Sequence, residues 1–464
     1  MPDKKIPTGR YQRLAAVGRV AGTQAAKRAG TRAANLVRSP QSTSAALERR
    51  HIATAEQIVA VLGRMKGASM KLGQMLSVLD VGLVPEEYRE EFQRRLGALR
   101  EQAPAVSFKD MRKVIETELG ERLSGAFSDF GEQPIAAASI GQVYRATLRD
   151  GRTVAVKVQY PGVRAAVAAD MANLSLIVGL LGRLAPQMDT KALAKEVREE
   201  IFQELDYELE ASNQRALGRL YDGHPFIAVP AVVSERCGER VIVTEFVQGD
   251  RFAALQSEGE AERNRVGEIV FRFFLGSMYR HGMFSGDPHP GNLLRREDGR
   301  IAFLDFGLFK RLGGEPIQFT LQILRAVIER NESELHRLLA NGGFLPDPAR
   351  FDPSELMSYM LDAYWWCTSA DREVHFSPQT TKEIMHRHLG RGSENLRTTR
   401  QMDLDAEHLL GRRLELMVLA VLGQLQVSAN WHRIAREWIY GDPPGTELGR
   451  QEADFLGGLA AQPA

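Results

Sequence analysis

The stretch that decides the reading is Ser285-Gly286-Asp287-Pro288-His289-Pro290-Gly291-Asn292, followed by Phe303-Leu304-Asp305-Phe306-Gly307. Asp287 and Asn292 stand five positions apart, and Asp305 follows Asp287 by eighteen. This is the spacing of a kinase-type catalytic loop, in which the Asp accepts or orients the attacking hydroxyl and the Asn holds a metal. Asp305 then supplies a second metal ligand. Hard oxygen donors of this kind suit magnesium, which bridges nucleotide phosphates. Asp-Phe-Gly alone recurs by chance, but both elements in this order, flanked by apolar strand-like residues, form a specific signal.

Working outward, Val154-Ala155-Val156-Lys157 reads as a buried strand ending in a lysine suited to the α/β-phosphates, which needs a helix glutamate to fix it. The candidates are Glu204 and Glu210, on a helix expected from Lys191 to about Leu220, where Leu193, Val197, Ile201, Leu205 and Leu209 recur every four residues. On one continuous helix Asp206, Glu210 and Asn213 share a face. Glu204 and Asp206 lie about 200° apart, so both reach one cleft only if the helix breaks. Glu245-Phe246-Val247 ends a strand expected over Arg240 to Phe246, where a linker backbone would pair with adenine. Another strand is expected over Phe226 to Val233. Ile135 to Ala146 reads as strand, tight turn, strand, and Asp150-Gly151 as the hairpin turn leading back to Lys157. Upstream, Ile58, Leu62, Met65, Leu72 and Leu76 mark a helix with one buried stripe, with Lys71 and Gln74 together on its flank.

Composition narrows the class. The 464 residues are 44% hydrophobic and 26% charged with a formal charge of +1, enough for a sizeable core. That balance excludes a globally basic nucleic-acid coat, and no nucleic-acid partner is expected. Two cysteines, Cys237 and Cys367, are too few for a disulfide framework and fit a reducing compartment. The apolar run from Met171 to Gly182 is shorter than the roughly 20 residues a spanning helix needs, so no transmembrane segment is expected. The first 40 residues carry nine Lys and Arg against Asp3 alone. They read either as a helix lying on an anionic membrane or as a solvated basic arm. The Tyr364-Trp365-Trp366 cluster reads as core packing.

Taken together, these features resemble the UbiB-type atypical kinases, the AarF-domain proteins, over about Ala46 to Glu437. Lys71-Leu72-Gly73-Gln74 is similar to that family's K-x-G-Q signature. Ala136-Ala137-Ala138-Ser139 resembles the alanine-rich loop it carries in place of a glycine-rich one, and Glu204-Leu205-Asp206 its E-x-D signature. The resemblance implies an α+β, protein-kinase-like two-lobed fold with an extra N-terminal helical subdomain. It implies a basic arm at 1–45, a K-x-G-Q subdomain at 46–125, an N-lobe at 126–250, a helical C-lobe at 251–442 and a tail at 443–464. By the same analogy Glu210 pairs with Lys157, while Lys71, Gln74, Glu204 and Asp206 cover the cleft. Asp287, Lys157 and Glu210 would be catalytic, Asn292 and Asp305 would bind Mg2+, and Ala136 to Ser139, Lys157, Glu245 and Val247 would contact ATP or ADP. The family connection implies ATPase activity and a role in isoprenoid quinone (ubiquinone-type) synthesis. A quinone-precursor lipid or quinone-biosynthesis enzymes would be partners, with a cytoplasmic location, peripheral at the inner face of the membrane. The chain departs from the family at Ser285, where His is common, and at its C-terminal end, where many members have spanning helices.

Alanines in the phosphate loop add a methyl where glycine leaves room and restrict φ, so phosphates should be held differently from those of a protein kinase. After Gly307 a helical pattern begins almost at once, with no long activation segment or Ala-Pro-Glu-like anchor. Both features favour a small molecule, a lipid or water as acceptor. Two rivals use the same pocket: a nucleotide-driven lipid or complex chaperone switch, and a small-molecule phosphotransferase of the aminoglycoside-kinase type. The K-x-G-Q helix and alanine loop argue against the latter.

Overall fold

The computed structural model describes residues 106–138, 140–171, 201–368, 371–381, 401–403 and 406–460, with Glu56, Lys195, Arg198, Glu199, Glu383 and Thr398 as isolated positions. The basic arm and most of the K-x-G-Q subdomain (all but Glu56 and 106–125), with Lys71 and Gln74, lie outside the described residues, as does Ser139. The described residues form two compact units. The first runs up to Glu208 and takes in Val233–Val243, and the second comprises Leu209–Val232 and the residues from Thr244 onward.

The first unit holds α1 (Phe108–Leu119) and a twisted antiparallel sheet. Ser107 caps α1 by accepting the Asp110 N–H, and Gly120 ends it in the left-handed conformation. The strands are β1 (Phe127–Phe130), β2 (Ala136–Ala137), β3 (Gly141–Leu148), β4 (Thr153–Gln159) and, after β5 (Ile227–Ala228) of the other sheet, β6 (Val241–Glu245). Their order is β1-β3-β4-β6, with β2 folding back on β3. The Asp150-Gly151 turn closes the β3–β4 hairpin, with Gly151 at φ 90° and Thr147 opposite Thr153. Val154, Val156 and Val158 alternate into the core.

Gly141 opens β3 because nothing larger fits. A Cβ there would lie 2.2 Å from the Val158 carbonyl oxygen and 3.0 Å from the Tyr207 hydroxyl. The strand backbone cannot retreat from such a contact. Gly141→Ala is therefore expected to destabilise the chain by about 1–3 kcal/mol through overpacking. Thermal melts check this, with Gly151 left intact as the reference; an unchanged midpoint would mean that the close approach is wrong.

The helix expected from Lys191 to Leu220 is interrupted. Ile201 to Glu204 are helical, Leu205 turns, Asp206 is irregular, and a fresh helix, α2, spans Tyr207–Leu220. The groups freed at the break find new partners: the Leu205 carbonyl accepts from Gln159 Nε2 (2.9 Å) and Arg164 Nη2 (3.3 Å), and the Tyr207 N–H donates to the Glu239 carbonyl. Asp206 therefore does not share a helix face with Glu210 and Asn213. The strand expected over Phe226–Val233 shrinks to Ile227–Ala228 plus a bridge from Val232 to Thr244, since Pro230 has no N–H for a ladder.

The second unit is mostly helical around one large apolar core. Its sheet runs β5-β10-β9-β7, with β7 at Asp250–Arg251, β9 at Leu293–Arg295 and β10 at Ile301–Phe303, β10 being parallel to β5. A separate pair, β8 (Met283–Ser285) and β11 (Phe309–Arg311), sets Ser285 opposite Phe309. Helix α3 (Glu260–Phe271) passes into a π-helical turn at Arg272–Gly276. Trp366 is fully buried, edge-on to Phe271, so the aromatic cluster is core. The 443–464 segment, expected as a tail, contains a helix at Glu447–Ala460 with Leu448 and Glu452 buried.

Candidate active site

In the second unit, the two loops of the decisive stretch are stitched together at both ends. The Gly286 N–H donates to the Leu308 carbonyl (2.7 Å), and the Leu304 N–H donates to the Asn292 carbonyl (3.0 Å). Asp287 thus follows directly from β8, while Asn292 and Asp305 lie on neighbouring backbones tied one residue before Asp305. Within the catalytic loop, the His289 N–H donates to the Asp287 carbonyl (2.7 Å), and Asn292 closes a 3₁₀ turn back to His289. His289 Nδ1 accepts the Gly291 N–H at 3.0 Å, which makes His289 a structural element of the loop. Asp305 Oδ1 accepts the Gly307 N–H at 2.9 Å. A Cβ on Gly307 would sit 3.4 Å from that oxygen and 3.7 Å from Glu210 Oε2, so buried Glu210 approaches the same loop. Asp287, Asn292 and Asp305 are all partly exposed.

The donor set fits magnesium. Among the described residues no three His, Cys, Asp or Glu side chains converge as an all-protein metal cage would require. An Asn amide and an Asp carboxylate on adjoining loops are the sparse oxygen set that Mg2+ completes with water and phosphate.

In the first unit, Ala136 on β2 faces Val143 on β3, and Val143 faces Lys157 on β4. Directly opposed residues share a face of a sheet, so the alanine hairpin and the lysine stand on the same side with β3 between them. The Ala138 N–H closes the hairpin onto the Gly141 carbonyl at 2.9 Å. Lys157 Nζ lies 5.0 Å from the centre of the Tyr207 ring, a cation–π contact. Nothing in the sequence pattern marked Tyr207; its position follows from the helix break just before it.

The expected adenine linker is more committed than its sequence suggests. The Glu245 carboxylate is taken by Arg296 (3.1 Å) and the Ala231 N–H (3.4 Å), and its backbone N–H donates to the Ala231 carbonyl (2.7 Å). Val247 is buried against Ala228 and Ala302, with Leu294 and Leu304 alongside. Glu204 and Asp206 are half-buried on either side of the helix break.

A family model for the ABC1 atypical kinase-like domain matches residues 98–339, about half of the chain. The chain belongs to the ABC1 atypical kinase-like family. AarF domain-containing protein kinase 1 of Xenopus tropicalis is 32% identical over 269 residues, 56% of this chain and 50% of that protein. The mitochondrial atypical kinase coq-8 of Caenorhabditis elegans is 31% identical over 298 residues, 63% of this chain and 39% of the relative. The chain thus spans about half the length or less of these two relatives. A solved structure, the Rv3197–erythromycin complex from Mycobacterium tuberculosis, is similar at 32% identity and TM-score 0.62, covering 87% of this chain and 99% of that one. The ABC1 match and this neighbour agree with the α+β, kinase-like class. Among the described residues, no helix is long and apolar enough to cross a membrane.

Proposed function

We propose that this ABC1-family chain is an ATPase or atypical kinase that binds a magnesium nucleotide, ATP or ADP, and acts on water, a small molecule or a lipid rather than a polypeptide. The observation that carries this reading is the segment after the metal loop. Only six residues separate Gly307 from the helix Gly314–Ile328, and three of them are the β11 strand paired to β8. A peptide substrate finds no platform in so short a connection. The related mycobacterial protein was solved with erythromycin, a small molecule, which agrees with this.

Asp287 accepts or orients the attacking hydroxyl, and Asn292 and Asp305 would hold the Mg2+ that neutralises phosphate charge when bound. Lys157 would reach the α/β-phosphates from the alanine-hairpin face, with Glu210 as its partner, while the Glu245 carbonyl and the Val247 backbone would face the base. The K-x-G-Q pair Lys71 and Gln74, with Glu204 and Asp206, would cover the cleft. Relatives named for coenzyme Q biosynthesis support a quinone-precursor lipid, or enzymes acting on one, as partners. The 1–45 arm would provide peripheral contact with an anionic membrane.

The deciding experiment follows γ-phosphate during incubation with quinone-precursor lipids. A kinase moves label onto the lipid, whereas an ATPase or nucleotide-driven switch releases it as phosphate. In either case Asp287→Asn is expected to lower turnover by about 10²–10⁴-fold while nucleotide binding persists. Wild-type turnover in this variant would remove Asp287 from the chemistry.

A further inference from the structure

The Asp305-Phe306-Gly307 loop lies outside any strand, yet two consecutive carbonyls in it are each held by a buried side-chain donor. Ser285 Oγ donates to the Asp305 carbonyl at 3.2 Å, and Asn213 Nδ2 donates to the Phe306 carbonyl at 3.3 Å. Ser285 is 2% exposed and Asn213 6%. The donors come from opposite directions in the chain: Ser285 ends β8 two residues before Asp287, and Asn213 sits on α2 one turn beyond Glu210.

We infer that Ser285 and Asn213 are positioning residues that clamp this loop in one metal-receptive conformation. The inference deepens the nucleotide reading given above and rests on it. Rotating the Asp305–Phe306 peptide plane changes ψ at Asp305 and φ at Phe306, rotating the next changes ψ at Phe306 and φ at Gly307, and either would break the bond by which the Gly307 N–H holds the Asp305 carboxylate. The Leu304–Asn292 and Gly286–Leu308 bonds fix the ends of the loop, and the two side chains fix its middle. Buried carbonyls must have partners, so the clamp also selects against the rotated loop, in which both acceptors would be stranded. The metal ligand is therefore set in place by packing rather than by a modification that orders a long segment. Ser285 performs this with a short side chain because β8 and β11 are directly paired, bringing its hydroxyl within reach of the Asp305 carbonyl.

The test uses the full chain, a fixed excess of ATP and a titration of Mg2+, with the rise in melting temperature as the readout. Removing one neutral hydrogen bond is expected to raise the Mg2+ concentration for half the rise by about three- to tenfold. Ser285→Ala and Asn213→Ala should both show this, and Ser285→Thr, which keeps the hydroxyl, should return close to the wild-type midpoint. Two alanine variants guard against one of them failing to fold. Variants that melt lower without metal but titrate at the wild-type Mg2+ concentration would show a purely structural role and overturn the clamp. A wild-type chain with no Mg2+-dependent rise would instead sink the nucleotide reading, and the clamp with it.

Discussion

Replacing Asp305 with Asn is expected to abolish the rise in melting temperature that a magnesium nucleotide produces in the wild-type chain. At a ligand concentration a hundred times its dissociation constant, binding adds about 2.7 kcal/mol to stability. At about 2–4 °C per kcal/mol for a domain of this size, that is roughly 5–10 °C. The substitution is chosen to spare the fold. An Asn at 305 still presents an oxygen to the Gly307 N–H, the bond that Asp305 Oδ1 accepts at 2.9 Å, and the Asp305 carbonyl still receives the Ser285 hydroxyl. What is lost is the negative charge that a hard divalent cation requires. The melting temperature without nucleotide should therefore stay within about 1 °C of wild type. If the variant keeps the full nucleotide-dependent rise, the metal is held elsewhere and the reading of the loop fails.

The largest loss of stability is expected at Arg272, far from that chemistry. Its guanidinium is fully buried and contacts three carboxylates: Glu268 at 2.7 Å, Glu437 at 2.8 and 2.9 Å, and Glu452 at 2.8 Å, with the Thr446 hydroxyl at 3.0 Å. Burial alone would pull its pKa down. The Glu437 hydrogen bonds and the charges of Glu268 and Glu452 outweigh that and hold it charged. Arg280 approaches the same cluster at 3.4 and 3.5 Å. Arg272→Met fills the volume but leaves buried carboxylates sharing one remaining cation. Breaking such a network by removing one partner costs about 3–5 kcal/mol, whereas the exposed Arg450–Glu447 pair, screened by water, adds little. Arg272→Met should thus melt roughly 6–20 °C lower and Arg450→Met almost unchanged. Adding Glu437→Gln and Glu452→Gln to Arg272→Met should recover part of the loss by removing the stranded charge. Equal melting temperatures for the two single variants would refute the argument.

The adjoining of two loops was the most legible part of this sequence: the spacing of Asp287, Asn292 and Asp305 predicts it, and the Gly286–Leu308 and Leu304–Asn292 bonds join them. The β3–β4 hairpin was legible for a similar reason: Asp150-Gly151 dictates a turn and the alternating valines dictate a face. The break at Leu205 was not. The four-residue repeat of leucines continues straight through it, and the groups that reward the break, Gln159, Arg164 and Glu239, are distant in sequence. The strand expected at Phe226 is cut short by a local feature, Pro230, whose missing N–H cannot join a ladder. The helix at Glu447–Ala460 was hidden because it is anchored by polar groups, buried Glu452 beside Arg272 and half-buried Thr446 just before the first turn, as well as by Leu448. Ser285 registered only as a departure from the family, and its contact with the Asp305 carbonyl depends on the pairing of β8 with β11.

The ionic cluster at Arg272 also sets a schedule for biosynthesis. Glu452 is 180 positions downstream of Arg272, which a ribosome adding about 5–20 residues per second reaches roughly 10–40 s later. Until then Arg272 has Glu268, one turn away, and later Glu437, but the cluster lacks its third carboxylate. A chain ending before Glu452 would leave the buried guanidinium one carboxylate short.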